Sequence, residues 1–125
     1  MGNTTVRGFT QAGKDLIVKT HNELRQKVAS GKETNGNQPP AANMMKMKWN
    51  EELAMIAQRF VDQCIFGHDK NRRTCDREYV GQNAYKASGG KKTEEEVNAG
   101  VDDSIKAFYN EVKIPFNPSN VKPFT

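Results

Sequence analysis

Asn50-Glu51-Glu52-Leu53-Ala54-Met55-Ile56-Ala57-Gln58-Arg59-Phe60-Val61-Asp62-Gln63-Cys64 is the stretch whose periodicity decides the architecture. Asn50 is a good side-chain N-cap, and Glu51 and Glu52 put negative charge at the positive end of a helix dipole. Leu53, Ile56, Ala57, Phe60, Val61 and Cys64 recur at helical spacing and predict one apolar stripe. Just upstream, Trp49 with Met44, Met45 and Met47 is expected to pack over that stripe, the methionines as adaptable core filling.

Two further helices flank this one. Upstream, Thr10 caps a helix in which Leu16 or Ile17, Thr20 or His21, Leu24 and Val28 share a face, and Ser30-Gly31 supplies the stop. The polar run Glu33-Thr34-Asn35-Gly36-Asn37-Gln38 then reads as a loop, closed by Pro39-Pro40, which excludes a helix. Downstream, Gly67 to Arg77 is polar. Tyr79 to Tyr85 alternates as a short strand would, with Gly81 at a bend. Thr93 and Glu96 form a capping box, Val97, Val101, Ile105, Phe108 and Val112 line a buried face, and Pro115 ends the helix. Phe116 to Thr125 is an irregular tail. One strand makes no sheet by itself, so the order of elements reads as incomplete.

The 125 residues fit one domain over 1–125. The net charge of +4 is dispersed. Its densest cluster, Lys70, Arg72, Arg73 and Arg77, is broken by Asp69, Asp76 and Glu78, which argues for a solvated loop and against nucleic-acid binding. No apolar run approaches the ~20 residues that span a bilayer, and Met1 to Phe9, which contains Arg7, does not read as a secretory leader. Cys64 and Cys75 fit either a disulfide or two reduced thiols, so composition leaves the compartment open.

Candidate chemistry is sparse. His21 shares a face with Ile17 and Leu24 and reads as a structural histidine. His68 stands alone in a polar loop beside Asp69, short of the three or four ligands of a zinc site. No phosphate-binding glycine loop or serine nucleophile elbow occurs. Cys64, placed on an apolar stripe, is a poor protease nucleophile. The same periodicity commits Cys64 to the helix and leaves Cys75 beyond a charged loop, so the two are not expected to bridge each other.

Several segments together resemble the CAP superfamily, and its insect venom antigen 5 branch in particular. They are His21-Asn22-Glu23-Leu24-Arg25, Ala29-Ser30-Gly31-Lys32-Glu33-Thr34, Gln38-Pro39-Pro40-Ala41, Met47-Lys48-Trp49-Asn50-Glu51-Glu52-Leu53-Ala54, Gln63-Cys64, Gly67-His68-Asp69, Cys75 and Val80-Gly81-Gln82-Asn83. The resemblance runs from Thr10 to Glu111. It implies an α+β fold, an α-β-α sandwich here truncated so that helices dominate and most of the central antiparallel sheet is missing. It also implies a cleft of two histidines and two acidic residues. His68 matches the first histidine, Gln82 replaces one acid, and Glu111 matches the other, although Phe108 stands where a tryptophan is usual. The second histidine belongs to a Gly-His-Tyr-Thr-Gln motif expected after Thr125. His68 is thus one ligand of an incomplete metal site, and no cofactor is expected, although relatives can hold zinc. The partners of Cys64 and Cys75 are implied to lie in an N-terminal extension.

The resemblance further implies a secreted, non-enzymatic venom, salivary or defence-related protein that encounters host proteins or antibodies. Small apolar lipids are its implied cargo, with sterols at a loop matching Phe116, Pro118, Pro123 and Phe124 and fatty acids between helices. The competing readings are a metal-dependent hydrolase, disfavoured by Gln82, and a small cytosolic helical interaction module.

Overall fold

The computed structural model describes residues 8–76, 80–87, 93–117 and 119. Three helices appear where the caps and stripes place them: α1 (Gln11–Ala29), α2 (Glu51–Val61) and α3 (Glu94–Tyr109). Each begins with a side chain that accepts a main-chain N–H left over from the first turn. Thr10 accepts from Gly13, Asn50 from Leu53, and Thr93 from Glu96. α1 closes at Ser30, and Gly31 takes a left-handed φ of +78° while its N–H donates to the Val28 carbonyl.

α1 and α3 lie side by side and run in the same direction, as a ladder of contacts between them shows. At their starts the Thr10 hydroxyl donates to Glu94 at 2.8 Å. Gly13 is buried, and a Cβ there would come within 3.1 Å of Asn98 Oδ1, so the missing side chain allows the close approach. Further along, buried Thr20 donates to Asp102 at 3.4 Å, and Lys27 lies over the Tyr109 ring at 5.9 Å. Ile105, 5% exposed, is the buried large apolar side chain among the described residues. Parallel neighbours cannot be joined by a tight turn, and α2 lies within the long crossover between them.

α2 differs from its expectation. None of its residues is buried; Met55 is 51% and Val61 57% exposed. The helix ends at Val61, so Cys64 is not on its stripe. It sits beyond the end in an exposed turn with φ +56°. Asp62, Gln63 and Cys64 close the end through turn hydrogen bonds to carbonyls of the last helical residues, which leaves no further turn for the stripe to extend into. The methionines cover little of the stripe: Met45 and Met47 are exposed, and Met47 with Trp49 borders it at Leu53. Their main chain is instead clamped to α1. Asn22 donates to the Met47 carbonyl at 3.1 Å and accepts its N–H at 2.7 Å, and Arg25 donates to the Met45 carbonyl at 2.9 Å.

The strand expected over Tyr79 to Tyr85 is not found in the part that is described, Val80 to Tyr85. A strand exists through its partners, and here the main-chain pairing among the described residues is a single hydrogen bond, from the Val80 N–H to the Arg72 carbonyl at 3.0 Å. The segment bridges two helices instead. Val80 and Gly81 line a groove with Leu53 and Ile56 of α2, while Tyr85 meets Phe108 of α3 edge-on at 6.3 Å. α3 stops at Tyr109, ahead of Pro115, and a 3-10 turn over Asn110–Lys113 carries Val112 out of its stripe.

The loop after α1 is more structured than its composition suggests. A 3-10 turn over Asn35–Asn37 packs on the turn that follows α3. Gly36 has φ +66°, and a Cβ there would stand 2.0 Å from the Val112 carbonyl oxygen. Its own carbonyl accepts the Phe116 N–H at 2.6 Å. Only glycine meets both demands.

Candidate functional site

His68 lies in the loop after α2, and Gln82 is half-buried in the segment that crosses between α2 and α3. The two are in contact: His68 Nδ1 and the Asp69 main-chain N–H both donate to Gln82 Oε1, at 2.9 and 3.0 Å. An amide oxygen can only accept, so Nδ1 carries the proton and Nε2 is left as the ring's acceptor. The pair leaves Nε2 as the one ring nitrogen not engaged by Gln82. A carboxylate in place of Gln82 would add charge to hold an imidazolium; the amide adds none.

Glu111 is exposed on the 3-10 turn after α3, and its carbonyl accepts the Ile114 N–H. Among the described residues no hydrogen bond or ion pair joins it to His68 or Gln82, and no three His, Cys, Asp or Glu side chains converge as a metal set. The loop bearing His68 is tied to α2 through Glu52, which accepts the Cys75 N–H at 3.0 Å. The Glu52 carboxylate beside it pushes the Cys75 thiol above its usual pKa, which keeps it protonated and a poor nucleophile. Cys64 and Cys75 are both exposed free thiols.

A second feature is an apolar groove of about 190 Å³ between α1 and α2, lined by Ile17, Val18 and His21 on one side and by Trp49, Leu53 and Ala54 on the other. His21 belongs to its wall, where Nδ1 donates to the Ile17 carbonyl at 2.8 Å, as a structural histidine does. Trp49 is fixed by Phe9, edge-on at 6.3 Å, and by Lys14 at 5.5 Å from the ring centre. Lys14 also pairs with Glu51 at 2.9 Å, which holds the Glu51 carboxyl below its usual pKa. Phe116 is half-buried and anchored through its N–H to Gly36. Pro118, Pro123 and Phe124 lie outside the described residues.

One site was not anticipated. Glu33, assigned to a polar loop, is 4% exposed. Tyr109 donates to its Oε1 at 2.5 Å, the N–H and side-chain amide of Asn35 donate to its Oε2 at 3.3 and 3.2 Å, and Lys27 stands 3.7 Å away. The Tyr109 hydrogen bond, above all, holds the Glu33 carboxyl below its ordinary pKa. Burial, with Glu33 opposite, pushes the phenol up to about 12. No local pattern announces a partner 76 positions away.

Residues 18–119 match the CAP family, described as the cysteine-rich secretory protein family. Venom allergen 3 of Solenopsis invicta is 51% identical over 109 residues, which are 85% of this chain and 44% of that protein. Venom allergen 3 homolog of Dinoponera quadriceps is 47% identical over 86% of this chain and 46% of its own length. Venom allergen 5 of Vespula vidua is 46% identical over 90% of this chain and 53% of its own. The chain thus spans about half the length of these relatives.

Proposed function

The chain belongs to the CAP, or cysteine-rich secretory protein, family, and on that footing we propose that it is part of a secreted venom allergen-like protein that works by binding and does no catalysis. The observation that carries this reading is the His68–Gln82 pair at 2.9 Å, an imidazole held by a neutral amide. A hydrolase at this position needs a charged acid–base couple, and Gln82 supplies no titratable group. The family's cleft is assigned to His68, Gln82 and Glu111, and a tight zinc site is not expected from them.

The cargo proposed is a small apolar lipid. The groove between α1 and α2 supports an apolar ligand, because its walls are Ile17, Val18, Leu53, Ala54 and the Trp49 ring, and at about 190 Å³ it seats a short apolar segment of one. No helix of the described residues is long and apolar enough to cross a membrane. Titration of the chain with a fluorescent fatty acid and a fluorescent sterol tests the cargo. Saturable binding competed by unlabelled lipid and weakened in Leu53→Asp is expected. Signal that rises without saturation rejects the lipid reading and leaves the family assignment standing.

The half-buried stripe of α2 is read as a surface covered by the central sheet in the family's α-β-α sandwich. Binding of a hydrophobic dye by this chain, abolished when the remaining length of a relative is supplied, is the expected outcome. Dye binding unchanged by the addition would place the sheet elsewhere.

A further inference from the structure

The Glu33 cluster is independent of the cleft and of the apolar groove. We propose that Glu33, received by Tyr109 and Asn35 and faced by Lys27, is an acid-released latch that fixes the loop after α1 to the end of α3 and so holds the Phe116 segment in place. The mechanical connection is short. Glu33 binds Asn35, Asn35 opens the 3-10 turn containing Gly36, and the Gly36 carbonyl accepts the Phe116 N–H at 2.6 Å.

The groups around Glu33 explain why it senses protons. From α1 comes one cation, Lys27; from the loop, the two Asn35 donors; from α3, the Tyr109 hydroxyl. The turn after α3 presents main-chain oxygens of Val112 and Ile114 to Gly36, and its charged side chains Glu111 and Lys113 are exposed and form no ion pair with Glu33. Both carboxylate oxygens are already occupied by donors. A proton on Oε2 sets an O–H against the two N–H groups of Asn35, and neutralisation removes the pull of Lys27.

The pH window follows from the directions of the shifts. Glu33 is held below its ordinary value of 4.5, so its contribution is complete above pH 4.5 and is lost as pH falls through its lower folded value. Tyr109 remains a neutral donor up to about 12, so its contribution is complete below its ordinary value of 10 and is lost as pH rises through about 12. Release in acid is local. α1 and α3 keep the close approach of Gly13 to Asn98 and the buried Ile105, neither of which involves a titratable group.

Nuclear magnetic resonance on the 125-residue chain tests the latch by following the Glu33 carboxyl carbon and the exchange protection factors of Phe116 and Ser30 from pH 7 to pH 3. Phe116 protection should fall at least tenfold as Glu33 titrates, while Ser30, whose N–H is bonded within α1, keeps its own. In Glu33→Gln, Phe116 protection should be low at every pH. In Tyr109→Phe, the Glu33 titration should move up toward 4.5, an outcome readable even if the glutamine variant fails to fold. Phe116 protection that is unchanged by Glu33→Gln, that falls in step with Ser30, or a Glu33 titration unmoved by Tyr109→Phe would overturn the proposal.

Discussion

α1 and α2 are both amphipathic and both capped by a side chain, yet they are held in different ways. α1 buries Gly13 and Thr20 against α3, and its trailing loop buries Glu33 beneath Tyr109. α2 buries no residue fully and leaves Leu53, Ile56 and Phe60 half-buried, although its apolar stripe is the stronger of the two in the sequence. Its ties are the Asn50 cap, the Lys14–Glu51 ion pair and the Glu52 link to the Cys75 loop. Stripe strength therefore reports what a helix could bury; what it does bury depends on which surfaces come to meet it. Small and polar residues set the close-approach points of α1 and α3, and Ile105 of α3 is the large apolar side chain buried there among the described residues.

Substitutions should separate the two regions. Ile105→Ala removes the one buried large apolar side chain among the described residues, and a loss of about 2–5 kcal/mol in urea unfolding is expected. A loss within ~0.5 kcal/mol, the range of ordinary surface changes, would show that the α1–α3 contact is not the core. Gly36→Ala should follow closely. A left-handed φ costs a non-glycine residue about 1–2 kcal/mol, and the added Cβ must also displace the Val112 carbonyl. Unchanged stability there would deny the docking of the two 3-10 turns.

The effects expected on α2 are smaller. Asn50→Ala removes the cap on Leu53 and should cost about 1 kcal/mol, seen as reduced helix signal confined to α2. Equal fraying of α1 would mean that the helices form as one cooperative unit. Val61→Ala, at a half-exposed position on the stripe, should change the unfolding free energy by no more than ~0.5 kcal/mol. A larger shift would reveal a partner surface for the stripe.

Much of this was legible in the chain, because local chemistry is written locally. Thr10, Asn50 and Thr93 cap as their positions predict, and Gly31 ends α1. No strand forms over Val80 to Tyr85, the described part of the expected one, because alternation describes a surface that a strand would need and not the neighbours that create it. Cys64 was placed on a stripe that stops a turn earlier. Glu33 and Gly36 stayed hidden, since a charged residue and a glycine in a polar run look solvated until Tyr109 and Val112 arrive from far along the chain. The contact of His68 with Gln82 had no signature in composition or spacing; the family resemblance alone suggested that the two share a cleft.

Segment-resolved hydrogen exchange on the chain at neutral pH measures the contrast between the helices most directly. Protection reports local opening free energy, which is low where few apolar contacts are buried. Peptides from α1 and α3 should exchange at least tenfold more slowly than those from Glu51 to Val61. Protection of α2 equal to that of α3 would contradict the account, because α2 would then be covered as well as its neighbours.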